Sequence, residues 1–359
     1  MAAEPSLPID VLEAWLGARI EGASPLRVLD LEQPKSGYSA TTLMVPIEYT
    51  CHGEARAEKL VLRMENPEPA IYPQQAPGID VEVELQYRVM EAIAQAGVAP
   101  IAPLLGYEAD ASVLGQPFFV MGYVQGEVPV ENPIYTSLGF FAEASPAQRC
   151  RMVEDGIRTL ARIHSLDWRR AGLEWLVAPG TTPGIAYQLE IWEAYSRREL
   201  GDRVHPPLDR AFAWLKAHLP EASPPGFSWG DSRPGNMIWR DFQCACVTDF
   251  ENAAIAPPEL DLGWWLMFDR WSHETYGVGR LEGEPTRAEQ TALYGECAGH
   301  EVGDTFFYEL TAAARYAAIV VRVMNRMVAE AKLPADQMLW RNNPAATCLD
   351  QLLAEGGIP

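Results

Sequence analysis

The chain has 359 residues, of which 48% are hydrophobic and 21% are charged, a composition typical of a globular protein. Its length exceeds that of one compact core and predicts two lobes. A formal charge of −21 argues against nucleic acid and anionic membranes as partners, because both bind through basic patches. Residues 1–124 hold 17 acidic and 7 basic residues, and residues 125–359 hold 32 acidic and 21 basic residues. The net negative charge is therefore shared by both parts of the chain and is not concentrated in the part expected to bind the substrate.

The sequence predicts a soluble cytoplasmic protein. No apolar run approaches the roughly 20 residues that a membrane span requires, and residues 1–5 lack the basic flank and apolar stretch of a signal peptide. The six cysteines are scattered, which favours reduced thiols used as packing residues. Cys244 and Cys246 fall on the same side of a predicted strand, but a zinc site would need a second cysteine pair or a nearby histidine pair.

The N-terminal part of the chain predicts a small lobe of sheet with one main helix. Apolar periodicity and turn residues define the elements. In chain order they are a helix over residues 10–20, a turn-rich loop over 35–42, a strand over 59–64, a helix over 81–96, and a hairpin whose strands lie near 112–114 and over 118–124.

The predicted elements beyond residue 125 are mostly helical. They are a helix over residues 146–167, two short strands over 237–239 and 246–248, and a long helix over 305–331. We therefore place the lobe boundary near residues 122–127, with an N-terminal lobe over 1–124 and a C-terminal lobe over 125–359.

Three polar residues around the two short strands have the spacing of an active site. Asp231 is followed by Asn236 five residues later and by Asp249 eighteen residues later. Any one of them alone is better explained as a turn residue. Together they supply what phosphoryl transfer needs: one carboxylate to meet the acceptor hydroxyl, and an amide oxygen and a second carboxylate to hold Mg²⁺ on the triphosphate. Arg233 offers a planar donor fork for the transferring phosphate.

Beyond this spacing, the sequence resembles the aminoglycoside phosphotransferase superfamily, also called the phosphotransferase enzyme family. The similarity is greatest to the branch related to the kinase-like domains attached to some acyl-CoA dehydrogenases. Five further segments match motifs of that branch in order, at residues 61–63, 87–90, 115–126, 160–164 and 258–262. The resemblance implies an α+β, bilobal, protein-kinase-like fold, with a small antiparallel-sheet N-lobe carrying one main helix and a larger, mostly helical C-lobe.

The resemblance also implies a role for each part of the site. Asp231 would be the catalytic Asp, with Asn236 and Asp249 as metal ligands. Arg63 would replace the usual strand lysine on the α- and β-phosphates, although Lys59 on the same strand face is a competitor. The residues expected around the nucleotide are Ser36, Gly37, Tyr38 and Ser39 over the phosphates, and gatekeeper-like Met121 with the backbones of Gly122 and Val124 at the adenine.

Three positions depart from the family pattern. Trp229 stands where the family has a His, and we expect it to fill the space but to lose a polar anchor. Gln86 stands where the branch has the Glu that pairs with the strand cation, so Glu84 or Glu82 would take over that ion pair. Gly122 stands where an acidic residue is common, and its backbone can still bind a base.

Two polar residues near these motifs are expected to be structural. Asp261 would brace the catalytic loop from a helix N-terminus, and His164 would be a core histidine. Trp192, Trp264 and Trp265 could line an acceptor pocket, although large aromatic side chains usually pack in cores.

These residues predict an ATP- and Mg²⁺-dependent kinase that phosphorylates a hydroxyl of a small molecule. An aminoglycoside acceptor would need a concentrated acidic cleft, which the charge distribution supports only weakly. A hydroxyacyl thioester such as a hydroxyacyl-CoA would need cationic contacts to its carrier phosphates, and the candidates are Arg197, Arg198, Arg203 and Arg210. We favour a metabolite over an antibiotic. The altered Trp229 and Gln86 suggest a nucleotide-binding pseudokinase as an alternative, but the base and both metal ligands are retained.

Overall fold

The N-terminal part of the structure, a computed structural model, is built on a five-stranded antiparallel sheet. Residues 7–33, 40–75, 78–220 and 224–359 are described. The strands are β1 Ala23–Val28, β2 Thr41–Cys51, β3 Glu54–Met64, β4 Leu104–Glu108 and β5 Phe118–Gly122. Their order in the sheet is β1-β2-β3-β5-β4. β2 and β3 form a hairpin in continuous register, and β3 then carries β5 on its other edge.

Two helices cover the two faces of this sheet. They are α1 Ile9–Gly17 and α2 Glu82–Ala96. α1 packs Leu12 into the cluster that contains Leu62, whereas α2 packs Ile93 into the cluster that contains Val61. Because neighbouring residues of a strand point to opposite faces, β3 contributes to both cores. The sheet and its main helix agree with the predicted α+β class.

The predicted strand near residues 112–114 is wrong, because this segment is the one-turn helix α3, Ala111–Leu114. The Asp110 carboxylate caps it by accepting a hydrogen bond from the Ser112 amide at 2.8 Å, which satisfies a donor that a helix start leaves unpaired. The strand that pairs with β5 is instead β4, with Tyr107 opposite Phe119. β4 is half-buried along its whole length, so it lacks the alternation that would reveal it in the sequence.

The rest of the chain is mostly helical, as predicted. The helices are α4 Phe140–Glu143, α5 Pro146–His164, α6 Ile185–Leu200, α7 Pro206–Ala217, α8 Glu259–Arg270, α9 Arg287–Ala298, α10 Phe306–Ala329 and α11 Pro344–Glu355. α5 begins with a capping box in which Ser145 and Gln148 each satisfy the other's backbone amide. α8 lies at the centre of this part, since every residue from Leu260 to Arg270 is buried.

Two short antiparallel ribbons carry the segment that contains the predicted site. β6 Gly226–Ser228 pairs with β9 Ala254–Ala256, and β7 Met237–Arg240 pairs with β8 Gln243–Val247. The loop before β7 holds residues 229–236, and the loop after β8 holds residues 248–253. Because β9 returns to pair with β6, these two loops come into contact.

Cys244 and Cys246 lie on β8, and both thiols are free. Burial raises the pKa of Cys244 to about 12 and that of Cys246 to about 11. Both therefore stay protonated and serve as packing residues. No helix within the described ranges is both long enough and apolar enough to cross a lipid bilayer.

Gly263 allows α8 and α10 to approach each other closely. A Cβ atom at this position would lie 2.5 Å from the backbone carbonyl carbon of Tyr308. We expect Gly263→Ala to lower the free energy of unfolding by about 1–3 kcal/mol, because the two helices must separate. Urea unfolding measures the difference.

Gly17→Ala is the matched control for this substitution. No described atom lies within 4 Å of the Cβ that it would add at the end of α1. It should leave the stability unchanged or raise it by about 0.5–1 kcal/mol. If Gly263→Ala were as stable as Gly17→Ala, the close packing of α8 on α10 would be contradicted.

Candidate active site

A buried carboxylate, that of Asp261 at the start of α8, holds the loop before β7 in place. Its Oδ2 accepts a hydrogen bond from the Trp229 amide at 2.6 Å, and its Oδ1 accepts from the Gly230 amide at 2.9 Å. The Ser228 hydroxyl donates to Oδ1 at 3.0 Å, and Nε2 of buried His164 lies 3.0 Å from Oδ2. Asp261 therefore has the bracing role expected of it.

The backbone at Gly230 admits only glycine. Its φ is +93°, and a Cβ there would lie 2.1 Å from the carbonyl oxygen of Asn252. The Gly230 carbonyl oxygen accepts hydrogen bonds from Asn252 Nδ2 at 3.1 Å and from Arg315 Nη2 at 2.8 Å. These contacts fix the chain immediately before Asp231.

The carboxylate of Asp231 is buried and accepts hydrogen bonds from three side chains. Oδ1 accepts from Trp264 Nε1 at 2.7 Å and from Arg233 Nε at 2.8 Å. Oδ2 accepts from the Tyr72 hydroxyl at 3.0 Å. Burial raises the pKa of Asp231 to about 7 and the charge of Asp249 adds to this, whereas the hydrogen bonds oppose it. Asp231 is thus a carboxylate that can take up a proton near neutral pH.

Asn236 and Asp249 present oxygen atoms beside Asp231. Asn236 Nδ2 donates to the Asp231 carbonyl oxygen at 2.9 Å, which fixes the orientation of the amide beside Asp231. Asp249 has a left-handed backbone with φ of +64°, and no described residue donates to its buried Oδ1. A buried carboxylate oxygen without a donor fits a hard cation. These two residues therefore fit Mg²⁺.

The expectation that Trp229 loses the polar anchor of the loop is wrong. Its indole Nε1 donates to the carbonyl oxygens of Thr248 and Asp249, both at 3.0 Å. The indole thus ties the catalytic loop to the segment that carries the metal-ligand candidate. Trp229 supplies this hydrogen bond while its ring, fully buried, packs against Phe250.

On β3, Arg63 is available for a ligand and Lys59 is engaged. The buried Nε of Arg63 has no hydrogen-bond partner in the described part of the chain. The Lys59 ammonium pairs with Glu32 at 2.9 Å. Of the two cations on this strand face, Arg63 is therefore the better candidate for a phosphate contact.

The acidic residues at the start of α2 have different surroundings. Glu84 pairs with Arg88 at 3.3 Å. Glu82 is half-buried, and its desolvation together with the charge of Glu65 raises its pKa to about 7, whereas the charges of Arg326 and Arg63 oppose the shift. Glu82 is therefore the candidate for an ion pair with Arg63, since Glu84 pairs with Arg88. Gln86 is buried and donates to Glu251 at 3.4 Å, one residue before Asn252 in the loop after β8.

The residues expected to surround the base are at the end of β5. Met121 is buried, and the Gly122 amide donates to the Pro103 carbonyl oxygen at 2.7 Å, so this amide is already used. Val124 is half-buried just beyond the strand. The predicted phosphate loop, Ser36, Gly37, Tyr38 and Ser39, lies outside the described residues.

Two arginines flank Asp231, and both have partners. Arg233 pairs with Glu131 as well as with Asp231. Buried Arg315 lies between the rings of Trp192 and Trp264, with its guanidinium 4.6 Å from each centroid. Burial lowers the pKa of Arg315 to about 10, against the opposing charge of Asp261. Trp192 and Trp264 thus lie close to the site.

The remaining candidates for substrate contacts are engaged elsewhere. Trp265 is buried and donates to Gln290 at 2.8 Å. The four arginines considered for carrier phosphates all contact protein groups: Arg197 pairs with Glu193, Arg198 with Glu199, Arg203 with Asn325, and Arg210 with Asp350.

Tyr72 is the residue of the site that sequence reasoning missed. It reaches Asp231 from 159 positions earlier in the chain. Burial, with the neighbouring charge of Asp231, raises the pKa of its phenol well above the ordinary value. One signal was available: the connection between β3 and α2 is 17 residues long, and loops of this length in compact domains often carry function.

The profile of the phosphotransferase enzyme family matches residues 48–294, more than half of the chain. This chain belongs to that family. It is 26% identical to acyl-CoA dehydrogenase family member 11 of Rattus norvegicus over 268 residues, which cover 72% of this chain and 31% of the relative. It is 25% identical to family member 10 of Mus musculus over 261 residues, which cover 72% and 22%. The chain thus spans less than a third of the length of these two relatives.

Solved structures of aminoglycoside phosphotransferases share the fold of this family member. A protein of Ralstonia eutropha, described as a candidate aminoglycoside phosphotransferase, superposes with a TM-score of 0.72 at 25% identity, covering 98% of both chains. A thermostable mutant of APH(4)-Ia, solved with ADP and hygromycin B, superposes with a TM-score of 0.54 at 12% identity, covering 96% of this chain and 98% of that one. The predicted kinase-like fold is confirmed.

In this phosphotransferase family member, the indole of Trp229 should contribute to stability through its two carbonyl acceptors. We expect Trp229→Phe to lower the free energy of unfolding by about 1–3 kcal/mol, because it leaves buried carbonyl groups without a donor. Chemical denaturation measures this loss.

Trp168→Phe is the control for the loss of an indole donor. Trp168 Nε1 donates once, to the Pro225 carbonyl oxygen, at the longer distance of 3.3 Å. Its removal should destabilise by about 0.5–1.5 kcal/mol. A loss in Trp229→Phe no larger than that in Trp168→Phe would show that the indole does not anchor the loop.

Proposed function

We propose that this protein is an ATP- and Mg²⁺-dependent phosphotransferase that transfers the γ-phosphate to a hydroxyl of a small molecule. One observation carries the proposal. The buried carboxylate of Asp231 already accepts a hydrogen bond from a hydroxyl, and it lies next to a buried oxygen of Asp249 to which no residue in the described part of the chain donates. Phosphoryl transfer needs one group of each kind.

In this mechanism Asp231 orients the acceptor hydroxyl through Oδ2. Oδ1 is held by Trp264 and Arg233, so the carboxylate cannot turn away from the acceptor. As the bond between the acceptor oxygen and the γ-phosphorus forms and the bond to ADP breaks, the hydroxyl proton passes to Asp231. A carboxyl with a raised pKa is suited to hold this proton.

The nucleotide is held by residues on both sides of the site. Asn236 and Asp249 would hold Mg²⁺, which when bound neutralises charge on the triphosphate. Arg63, whose Nε lacks a described partner, would meet the α- and β-phosphates. Structural neighbours were solved with ADP and with GDP, which supports nucleotide use, and we propose ATP as the phosphoryl donor. We keep the cytoplasmic location as a prediction.

The acceptor that we favour is a metabolite with an apolar body, such as a hydroxyacyl-CoA, whose carrier phosphates would have to displace the carboxylate partners of Arg197, Arg198 and Arg210. The side chains on Asp231 are two aromatic residues and an arginine, Tyr72, Trp264 and Arg233. The ammonium groups of an aminoglycoside would need free carboxylates, but Glu131 pairs with Arg233. Similarity to acyl-CoA dehydrogenase family members supports the hydroxyacyl class.

Asp249→Ala should abolish Mg²⁺-dependent nucleotide binding, because it removes the buried metal-ligand oxygen. Isothermal titration with a non-hydrolysable ATP analogue, with and without Mg²⁺, measures this. Asp202→Ala, a change of the same type at an exposed loop position, is the control and should bind normally. Unchanged binding by Asp249→Ala would remove the metal-site assignment.

Asp231→Asn should preserve nucleotide binding but lower turnover about 10²–10⁴-fold, since the amide cannot accept the proton. The assay is ADP release with hydroxyacyl-CoAs, aminoglycosides and simple alcohols as acceptors. Hydroxyacyl-CoAs are expected to be turned over. Near-normal rates in Asp231→Asn would show that Asp231 is not the base. Turnover of aminoglycosides alone would show that the acceptor is an antibiotic and not the metabolite that we propose.

A further inference from the structure

The first part of the connection between β3 and α2 lies across the helical part of the molecule. We call residues 66–75 of this connection the strap. Arg322 of α10 donates to the carbonyl oxygens of Pro69 at 2.8 Å and Ala70 at 3.1 Å. On the other side, Gln188 of α6 donates to the Gln75 side chain at 3.0 Å. The strap is therefore held on both sides of its centre.

The centre of the strap is Ile71-Tyr72. Ile71 is buried in the cluster that also holds residues of α6 and α10, and its carbonyl oxygen accepts a hydrogen bond from the Tyr195 hydroxyl. Anchoring of the preceding residue leaves Tyr72 little freedom of position. The contacts of the strap therefore hold the Tyr72 hydroxyl in the active site.

The Tyr72 hydroxyl occupies the position of an acceptor. It donates to Asp231 Oδ2 at 3.0 Å, whereas Oδ1 is taken by Trp264 and Arg233. Oδ2 is the oxygen that remains to orient a hydroxyl for phosphoryl transfer. The charges that act on the phenol are those of Asp231, Glu251, Asp249 and Arg233, all of them in the catalytic segment. The hydrogen bond to Asp231 therefore places the phenol at the carboxylate that faces the γ-phosphate in the proposed mechanism.

We propose that Tyr72 is itself a phosphoryl acceptor, modified in cis by the active site that it contacts. This inference rests on the proposed phosphotransferase function. The Tyr72 oxygen attacks the γ-phosphorus of ATP, the bond from that phosphorus to the bridging oxygen of ADP breaks, and the phenol proton passes to Asp231. The products are phosphotyrosine 72 and ADP, and no other reactant is required.

The surroundings of Tyr72 explain why this reaction would need Asp231. The phenol is protonated at neutral pH, since burial opposes its ionisation. A base must therefore remove its proton as the new bond forms. An external acceptor needs the same carboxylate oxygen, so the acceptor and Tyr72 compete for Oδ2.

The test is incubation of the full chain, treated first with a phosphatase that is then removed, with ATP and Mg²⁺. Intact mass and peptide mapping then locate the modification. We expect a single phosphoryl group on Tyr72, formed at a rate per molecule that does not depend on protein concentration. Tyr72→Phe should lose the modification, and Asp231→Asn should slow it about 10²–10⁴-fold. Tyr276→Phe, which removes an exposed phenol outside the site, should retain it.

Three results would overturn the inference. If the protein binds ATP with Mg²⁺ and turns over an external acceptor but Tyr72 stays unmodified, the inference fails and the proposed function stands. If the rate per molecule rises with protein concentration, transfer occurs between molecules and the cis geometry is wrong. If no nucleotide binds, the proposed function fails as well, and nucleotide titration on the same sample distinguishes this result from the first.

Discussion

The active site depends on the buried carboxylate of Asp261. Both of its oxygens have hydrogen-bond partners. An unpaired buried carboxylate would be costly by several kcal/mol. Asp261 avoids this by accepting from the Ser228 hydroxyl and from the amides of Trp229 and Gly230, with His164 beside it. Its place at the start of α8 adds the favourable end of the helix dipole. The loop before Asp231 has its shape because this charge must be satisfied.

The three aspartates of the site differ in their donors, and this difference assigns their tasks. Both carboxylate oxygens of Asp261 accept hydrogen bonds from the loop that it braces, so its role is structural. The Asp231 carboxylate accepts hydrogen bonds from three side chains, and burial raises its pKa to about 7. A carboxylate with a raised pKa suits a group that orients a hydroxyl and accepts a proton. Asp249 has a buried oxygen without a described donor, which suits a metal ligand. One residue type thus serves three roles through its surroundings.

The sequence predicted what local signals determine. Apolar periodicity and turn residues predicted α2 and α5, and the spacing predicted that Asp231 and Asp249 lie together, because both are on loops joined by one short hairpin. The sequence did not predict the features that depend on tertiary contacts. β4 carries no alternation, and the Tyr72 contact with Asp231 spans 159 positions with no local trace. The expectation that Trp229 loses a polar anchor is wrong, because its indole hydrogen bonds depend on a carbonyl geometry that no spacing specifies.

The most direct measurement is a crystal structure of the protein with a non-hydrolysable ATP analogue and Mg²⁺. The account predicts a cation bound by the Asn236 amide oxygen and by Asp249, at about 2.0–2.1 Å from each, with the γ-phosphate facing Asp231 Oδ2 and the Tyr72 hydroxyl. A nucleotide whose triphosphate lies away from these residues, or a cation that neither of them binds, would contradict it.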